Sequence, residues 1–174
     1  MPKCLIIFFT CLIALLLSGC ASTSNNSITV PTELFAEILH SSLLCGTDIQ
    51  QPLIYWIDDQ ADLEQRYAQF NAQTSDPVFV PVLDFEQSGA LLIAMGPQPS
   101  TGYLLNYIPG QDSTWLAGST LVVSVDWVTP DADSMQAQVI TSPCLLLHLD
   151  KLNFKQFKVV DQDGEIKLES ARSS

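Results

Sequence analysis

Short apolar runs separated by Gly, Pro, Asp and Ser dominate the chain after Pro77. In residues 121–127 apolar and polar positions alternate strictly, which predicts a half-buried strand whose odd-numbered side chains face the core. Similar runs predict further strands. The predicted strands cover residues 82–85, 90–96, 103–108, 120–128, 135–140, 143–149, 157–160 and 165–168. Most connections between them are too short for a crossover helix, so the sheets should be mainly antiparallel.

One amphipathic helix is predicted before this strand-rich part. Asp59 stands where an N-cap residue belongs, and the apolar residues that follow recur at roughly helical spacing, so the helix should span residues 59–71. Residues 53–57 are aromatic and branched and predict a strand, whereas residues 35–45 fit either a short helix or a strand. The whole pattern predicts one mainly β domain over residues 33–174, an antiparallel β-sandwich or a partly open barrel with one packed helix.

Residues 1–19 predict a secretory signal. They carry Lys3 as their one charged side chain, followed by an apolar run over residues 5–17 that is too short for a membrane span. Its removal would leave 155 of the 174 residues, about the size of one domain. Residues 20–32 are rich in Ser, Thr and Asn, so we expect a flexible tether there.

The signal ends in Leu17-Ser18-Gly19-Cys20, which resembles the lipobox of bacterial lipoproteins. In that motif the cysteine thiol takes a diacylglyceryl group, and acyl chains then hold the protein on a membrane. The next residue is Ala21. In the lipoproteins that it resembles, an Asp at this position retains the protein at the inner membrane, so the resemblance implies a lipid anchor in the outer membrane of a Gram-negative source, facing the periplasm. The alternative is an ordinary secreted protein in which Cys20 is incidental.

Cys45 and Cys144 are the other cysteines of the mature chain, because Cys4 and Cys11 leave with the signal. Two thiols in an exported chain predict one disulfide, since the compartment outside the inner membrane is oxidising. The alternative is a pair of buried free cysteines that act as small apolar residues.

Acidic side chains greatly outnumber basic ones. The formal net charge at pH 7 is −12, and it becomes −13 once Lys3 leaves with the signal. Residues 20–133 hold 14 carboxylates against the single base Arg66. Because binding to phosphates needs clustered Lys and Arg, no nucleic-acid partner is expected. The acidity favours either solubility beside a negatively charged membrane or the docking of a basic partner.

The sequence offers no constellation for catalysis or metal binding. His40 and His148 are the only histidines and no Gly-X-Ser-X-Gly occurs, so Ser-His-Asp hydrolysis is not expected. Two histidines without a third ligand at a suitable spacing also argue against zinc. Residues 161–165 begin like a calcium loop but lack its later carboxylates, and they predict a hairpin turn. No catalytic residue, metal or cofactor is therefore predicted; the remaining enzymatic alternative is a site of dispersed carboxylates.

A proline-rich loop between two predicted strands is the candidate partner-binding site. It consists of Gln98, Pro99, Ser100, Thr101, Gly102 and Tyr103. Prolines stiffen the segment, the glycine permits a positive φ, and the tyrosine opens the next strand. Such a loop is either a structural turn whose tyrosine packs in the core or a rigid protein-binding surface. In the second case Ser100 and Thr101 should be exposed at its tip.

A series of short motifs resembles the C-terminal domain of the PrcB family over about residues 83–149. The motifs are Asp84-Phe85, Met95-Gly96, Pro99-Ser100-Thr101-Gly102-Tyr103, Thr129-Pro130 and Val139-Ile140-Thr141-Ser142-Pro143-Cys144. The family's turn reads Pro-Thr-Gly-Gly-Tyr, and here a Gly of the turn is replaced, giving Ser100-Thr101-Gly102-Tyr103. The family's Gln-Ala-Leu-Thr stretch reads Gln138-Val139-Ile140-Thr141 in this chain. Members are non-catalytic lipoproteins or exported domains, named for a subunit that helps a secreted protease complex mature and stay intact. The resemblance implies a protein-binding accessory module whose partner is a protease.

The same loop is similar to that of a second family, the chagasin-like cysteine-peptidase inhibitors. Their Asn-Pro-Thr-Thr-Gly-Tyr loop enters the cleft of papain-like enzymes. In this chain Gln98 replaces the Asn, and the other two inhibitory loops have no clear counterpart. This resemblance implies, as the alternative function, inhibition of a cysteine peptidase through residues 99–103.

Overall fold

A computed structural model describes residues 32–46, 48–72, 79–110 and 112–172. The predicted signal, Cys20 and the tether up to Pro31 lie outside these residues. Within them, no helix is long and apolar enough to cross a membrane.

The described residues form a mainly β fold with one α-helix, as the sequence predicts. The strands are β1 (Thr32–Glu33), β2 (Ala36–Ser42), β3 (Leu53–Ile57), β4 (Ser88–Ala94), β5 (Leu104–Asn106), β6 (Thr114–Ala117), β7 (Thr120–Ser124), β8 (Asp126–Val128), β9 (Cys144–Asp150), β10 (Gln156–Val160) and β11 (Ile166–Ala171), and the helix α1 is Gln60–Asn71. A five-stranded sheet has the order β1-β6-β7-β10-β11, a four-stranded sheet has the order β2-β9-β4-β3, and β5 pairs with β8.

The two larger sheets pack face to face, and α1 covers the outer face of the four-stranded sheet. Strands β4 and β9 are therefore buried on both sides, which explains why they are continuous apolar runs without alternation. One face of β9 presents Leu145 and Leu147 to the five-stranded sheet. Its other face presents Leu146 to the helix. The fold is thus a β-sandwich with one packed helix.

The helix begins where the sequence predicts. Asp59 is its N-cap, and the carboxylate accepts a hydrogen bond from the Asp62 backbone N–H at 2.8 Å. Leu63, Tyr67 and Phe70 form the buried stripe on the sheet. Strand β3 also matches its prediction, and the ambiguous residues 35–45 contain the edge strand β2.

Two predicted strands are wrong. Residues 82–85 are not a strand, because this segment lies along α1, where Leu83 N–H donates to the Gln60 side chain and Phe85 packs into the core under the helix. Residues 135–140 are not a strand either, because they pair with a loop instead of a sheet. An apolar segment becomes a strand only where another strand lies beside it and pairs with its backbone.

The five-stranded sheet was only partly predicted. Leu121, Val123 and Val125 are buried in the sandwich core as expected, but Val122 is buried as well. The stretch also breaks at Val125 into β7 and β8, which join different sheets. Strands β1 and β6 were not predicted, because with two and four residues they are too short to show a clear alternation of apolar and polar positions. Most pairings are antiparallel, as predicted, whereas β10 runs parallel to β7.

Cys45 and Cys144 lie with their sulfur atoms within bonding distance, and their Cα atoms are 5.8 Å apart. Both are fully buried in the core under the helix. The disulfide ties the segment after the edge strand β2 to the first residue of the central strand β9 across 99 residues of chain.

The double variant Cys45→Ala/Cys144→Ala should unfold at a lower guanidinium concentration than the native chain. Closing a loop of this length restricts the unfolded chain by up to about 4–5 kcal/mol. A thiol reductant should lower the midpoint of the native chain and leave the double variant unchanged. Free alkylation of both thiols in the native exported protein without reductant would contradict the bridge.

Residues 161–165 form the predicted hairpin turn between β10 and β11. The Asp161 carboxylate accepts hydrogen bonds from the backbone N–H groups of Asp163 and Glu165, both at 2.9 Å, and pairs with Lys167 Nζ at 2.7 Å. Gly164 has a φ of +81°, which a glycine adopts at no steric cost. The hydrogen bond from Lys167, followed by those from the backbone, lowers the pKa of Asp161.

Asp161 should make the chain more stable at neutral pH than in acid. Because its pKa is lower when folded than when unfolded, its contribution is complete above the ordinary pKa of about 4 and is lost as the pH falls through the folded value. Asp161→Asn should therefore lower the melting temperature at pH 7, with a difference from the native chain that shrinks towards pH 2. Asp163→Asn, at an exposed position of the same turn, is the control. A pH-independent difference for Asp161→Asn would contradict this role.

Candidate functional site

The loop from Gln98 to Tyr103 leaves the end of β4 and is held down by a later segment of the chain. Gln98 and Thr141 exchange backbone hydrogen bonds of 2.7 and 3.1 Å. We call residues 135–141, which run across the loop, the strap. The end of the sandwich that carries the loop and the strap is the loop end.

Thr101 is bound to the strap through its backbone and its hydroxyl group. Its N–H donates to Ala137 O at 3.0 Å, and Ala137 N–H donates back to Thr101 Oγ1 at 3.1 Å. The same hydroxyl donates to Gln136 Oε1 at 3.2 Å. Both hydrogen-bonding functions of this hydroxyl are thus used within the protein.

Ser100 and Gly102 are also enclosed. Ser100 is only 8% exposed, and its carbonyl accepts a hydrogen bond from Thr141 Oγ1 at 3.1 Å. Gly102 has a φ of +93°, and a Cβ added there would lie 2.6 Å from Gln136 Oε1. The expected exposure of Ser100 is wrong, and Thr101 is only partly exposed, because the strap covers the tip. Tyr103 packs half-buried against the sandwich core and anchors the base of the loop, as expected.

An apolar cleft of about 340 Å³ lies beside the loop. It is lined by Leu44, Gly46, Ile49, Gln50, Pro97, Ile140, Thr141 and Ser142. Backbone hydrogen bonds from Ser142 N to Leu43 O and from Cys45 N to Ser142 O join its two walls. Since Cys45 is one of the bridged cysteines, the disulfide fixes the wall that follows β2.

Large apolar side chains are exposed at the loop end. Leu44 and Ile140 both line the cleft, and they are 43% and 71% exposed. Leu43 precedes one wall, and the strap also exposes Met135 and Val139. A group of exposed apolar residues around a concave site is typical of a surface that another molecule covers.

The charged residues nearest the cleft in the sequence are acidic. Asp48 lies between two lining residues, and its carboxylate accepts a hydrogen bond from Gln69 Nε2 at 3.0 Å. Asp131 and Asp133 lie in the turn just before the strap. Arg66, the one Lys or Arg between residues 20 and 133, pairs with a carboxylate of its own helix at 3.3 Å.

The Lys and Arg residues that follow Arg66 in the sequence begin after the end of β9 that is remote from the cleft. This strand starts at Cys144, beside the cleft, and runs for seven residues to Asp150, which Lys151 follows. Seven residues of strand span roughly 20 Å. Further along, Lys158 and Lys167 form ion pairs with carboxylates of the five-stranded sheet and its hairpin.

The two histidines take part in packing and in one contact with a carboxylate. His40 stacks on the Phe70 ring with centroids 4.6 Å apart, and its burial lowers its pKa. His148 Nδ1 lies 3.7 Å from Glu37 Oε2. Among the described residues, no group of three or more His, Cys, Asp or Glu side chains could hold a metal ion.

No protein-family model, curated protein or solved structure matches this chain. The likeness to the PrcB family and to the chagasin-like inhibitors therefore rests on the motifs themselves, and what each implies stays a prediction.

Replacing Thr101 by Val should destabilise the chain by about 1–2 kcal/mol. The change removes both side-chain hydrogen bonds to the strap and leaves the Ala137 N–H without its acceptor. Urea unfolding of the two proteins measures the difference. Thr129→Val, at an exposed position, is the matched control. Equal midpoints for Thr101→Val and the native chain would mean that these bonds do not hold the strap in solution.

Proposed function

We propose that this chain is a non-catalytic lipoprotein, anchored in the outer membrane through Cys20 and facing the periplasm, whose β-sandwich is a protein-binding accessory module. Its partner is an exported protease complex, which the module stabilises or regulates. The lipobox-like end of the signal supports the anchor, and the PrcB-like motifs support the kind of partner.

The observation that carries the binding role is the loop end of the sandwich. Two cleft walls, joined by backbone hydrogen bonds and fixed by the disulfide, expose Leu44 and Ile140. Holding these side chains exposed leaves apolar area that would be favourable to bury, on the order of 25 cal/mol per Å². A rigid surface loses little conformational entropy when a partner covers it. The loop end is therefore the surface that we assign to the partner.

The state of the loop weighs against the alternative function as a cysteine-peptidase inhibitor. An inhibitory loop must enter the active-site cleft of the enzyme with its tip free. In this chain Ser100 is buried and the hydroxyl of Thr101 is already bonded to the strap. The loop supports the neighbouring cleft instead.

Cys20→Ser should move the chain from the membrane fraction to the soluble fraction of a detergent-free lysate. Without the thiol no acyl chain can be attached, and a single domain without its lipid has no stable anchor. Ser22→Ala, two residues further along the tether, should stay with the membranes. Sedimentation of Cys20→Ser with the membranes would contradict the lipoprotein proposal.

The partner is tested in the same cells with a photo-crosslinking residue at position 140. It should capture a subunit of an exported protease complex, whereas the same residue at the exposed position 166 of the five-stranded sheet should not. Deletion of the chain should shorten the lifetime of the captured protease or change its activity. Inhibition of papain by the native chain at micromolar concentration would instead support the inhibitor function.

A further inference from the structure

The cleft is lined by both apolar and polar residues, and this lining restricts which ligands fit. Leu44, Ile49, Pro97 and Ile140 supply apolar contact surface. The volume of about 340 Å³ lies near the lower limit of small-molecule sites and is more than one large side chain fills. An apolar side chain on a short segment of polypeptide, with part of its backbone, suits both the size and the lining.

Ser142 is a second and independent sign that the cleft is completed by another molecule. It lines the cleft and is 8% exposed, and its Oγ has no hydrogen-bond partner among the described residues. A buried hydroxyl group without a partner is costly, because it gives up its hydrogen bonds to water and gains none in return. Because this Oγ is enclosed, a bound segment would reach it only through a small movement of the cleft wall, and one of its backbone groups would then supply the partner.

Charge limits the sequence of the bound segment. Asp48 lies in the chain between the lining residues Gly46 and Ile49, and Asp131 and Asp133 precede the strap. Of the nearest bases along the chain, Arg66 is already paired and Lys151 lies beyond the far end of β9. Flanking Lys or Arg residues would meet complementary charge, and flanking Asp or Glu residues would be repelled. The acidity of residues 20–133 then serves recognition and not solubility alone.

We propose that the cleft formed by Leu44, Ile49, Pro97, Ile140 and Ser142 binds a segment of the partner in which one large apolar side chain is flanked by Lys or Arg. The proposal rests on the proposed function, because it describes how that module would recognise its partner. The apolar side chain lies between Leu44 and Ile140, and the flanking bases lie towards Asp48.

The probes are three seven-residue peptides, one with Phe between pairs of Lys, one with Phe between pairs of Glu, and one with Ala between pairs of Lys. They are titrated by NMR against the chain beginning at Ala21, which contains every described residue. The first peptide should bind at least tenfold more tightly than the other two and should shift the resonances of Leu44 and Ile140. Asp48→Asn should reduce the preference for Lys over Glu and its dependence on salt.

Two exposed isoleucines give a matched pair of variants. Ile140→Ser should weaken binding of the first peptide at least fivefold, whereas Ile166→Ser, on the edge strand β11, should leave it unchanged. Circular dichroism spectra should be the same for both, since neither side chain is in the core.

The proposal is overturned if the three peptides bind equally, if none binds up to millimolar concentration, or if the two variants behave alike. It is also overturned if the free chain dimerises and Ile140→Ser abolishes the dimer, because a second copy then occupies the cleft. Failure of the Cys20→Ser experiment would remove the anchor and leave peptide binding intact. The two failures are therefore distinguishable.

Discussion

The rest of the structure depends on the antiparallel pair of strands β4 and β9, which is buried on both faces. One face forms the sandwich core with the five-stranded sheet, and the other forms the core under the helix. Because two apolar layers share the same two strands, the sheets and the helix are fixed relative to one another. The edge strands β2 and β3 add to this pair and complete the four-stranded sheet.

The loop end is built from chain that extends β4 and β9 beyond the sheet. The residues after β4 become the loop, the residues before β9 become the strap, and the two segments continue to exchange hydrogen bonds at Gln98 and Thr141. On the other side of the strap, Ser142 bonds to the segment after β2, which the disulfide also holds. The cleft thus lies where three segments leave the sheet and are still tied together.

This arrangement gives a structural role to the loop that the sequence suggests as a binding site. The residues from Pro99 to Tyr103 resemble a binding loop, yet their polar groups are used to hold the strap. The apolar side chains that remain exposed belong to the strap and to the segment after β2. Our proposal therefore locates the binding surface beside the motif, in a cleft that the loop and the strap adjoin. The distribution of charge is consistent with this assignment, since the first base after Arg66 is Lys151, about the length of β9 from the cleft.

The sequence by itself determined the elements whose cause is local. The N-cap at Asp59, the helical spacing after it, the branched residues of β3 and the turn at residues 161–165 act through neighbours a few residues apart, so their pattern is visible along the chain. The disulfide was predictable because Cys45 and Cys144 are the only cysteines of the sequence beyond residue 20. Tertiary structure alone decided that residues 135–140 are a strap and not a strand, and that Ser100 is buried. Those outcomes depend on hydrogen bonds between groups about 35 to 43 residues apart, such as Thr101 with Gln136 and Gln98 with Thr141. Such bonds produce no periodic pattern in the sequence. The same residues could equally have bonded to water or to another strand.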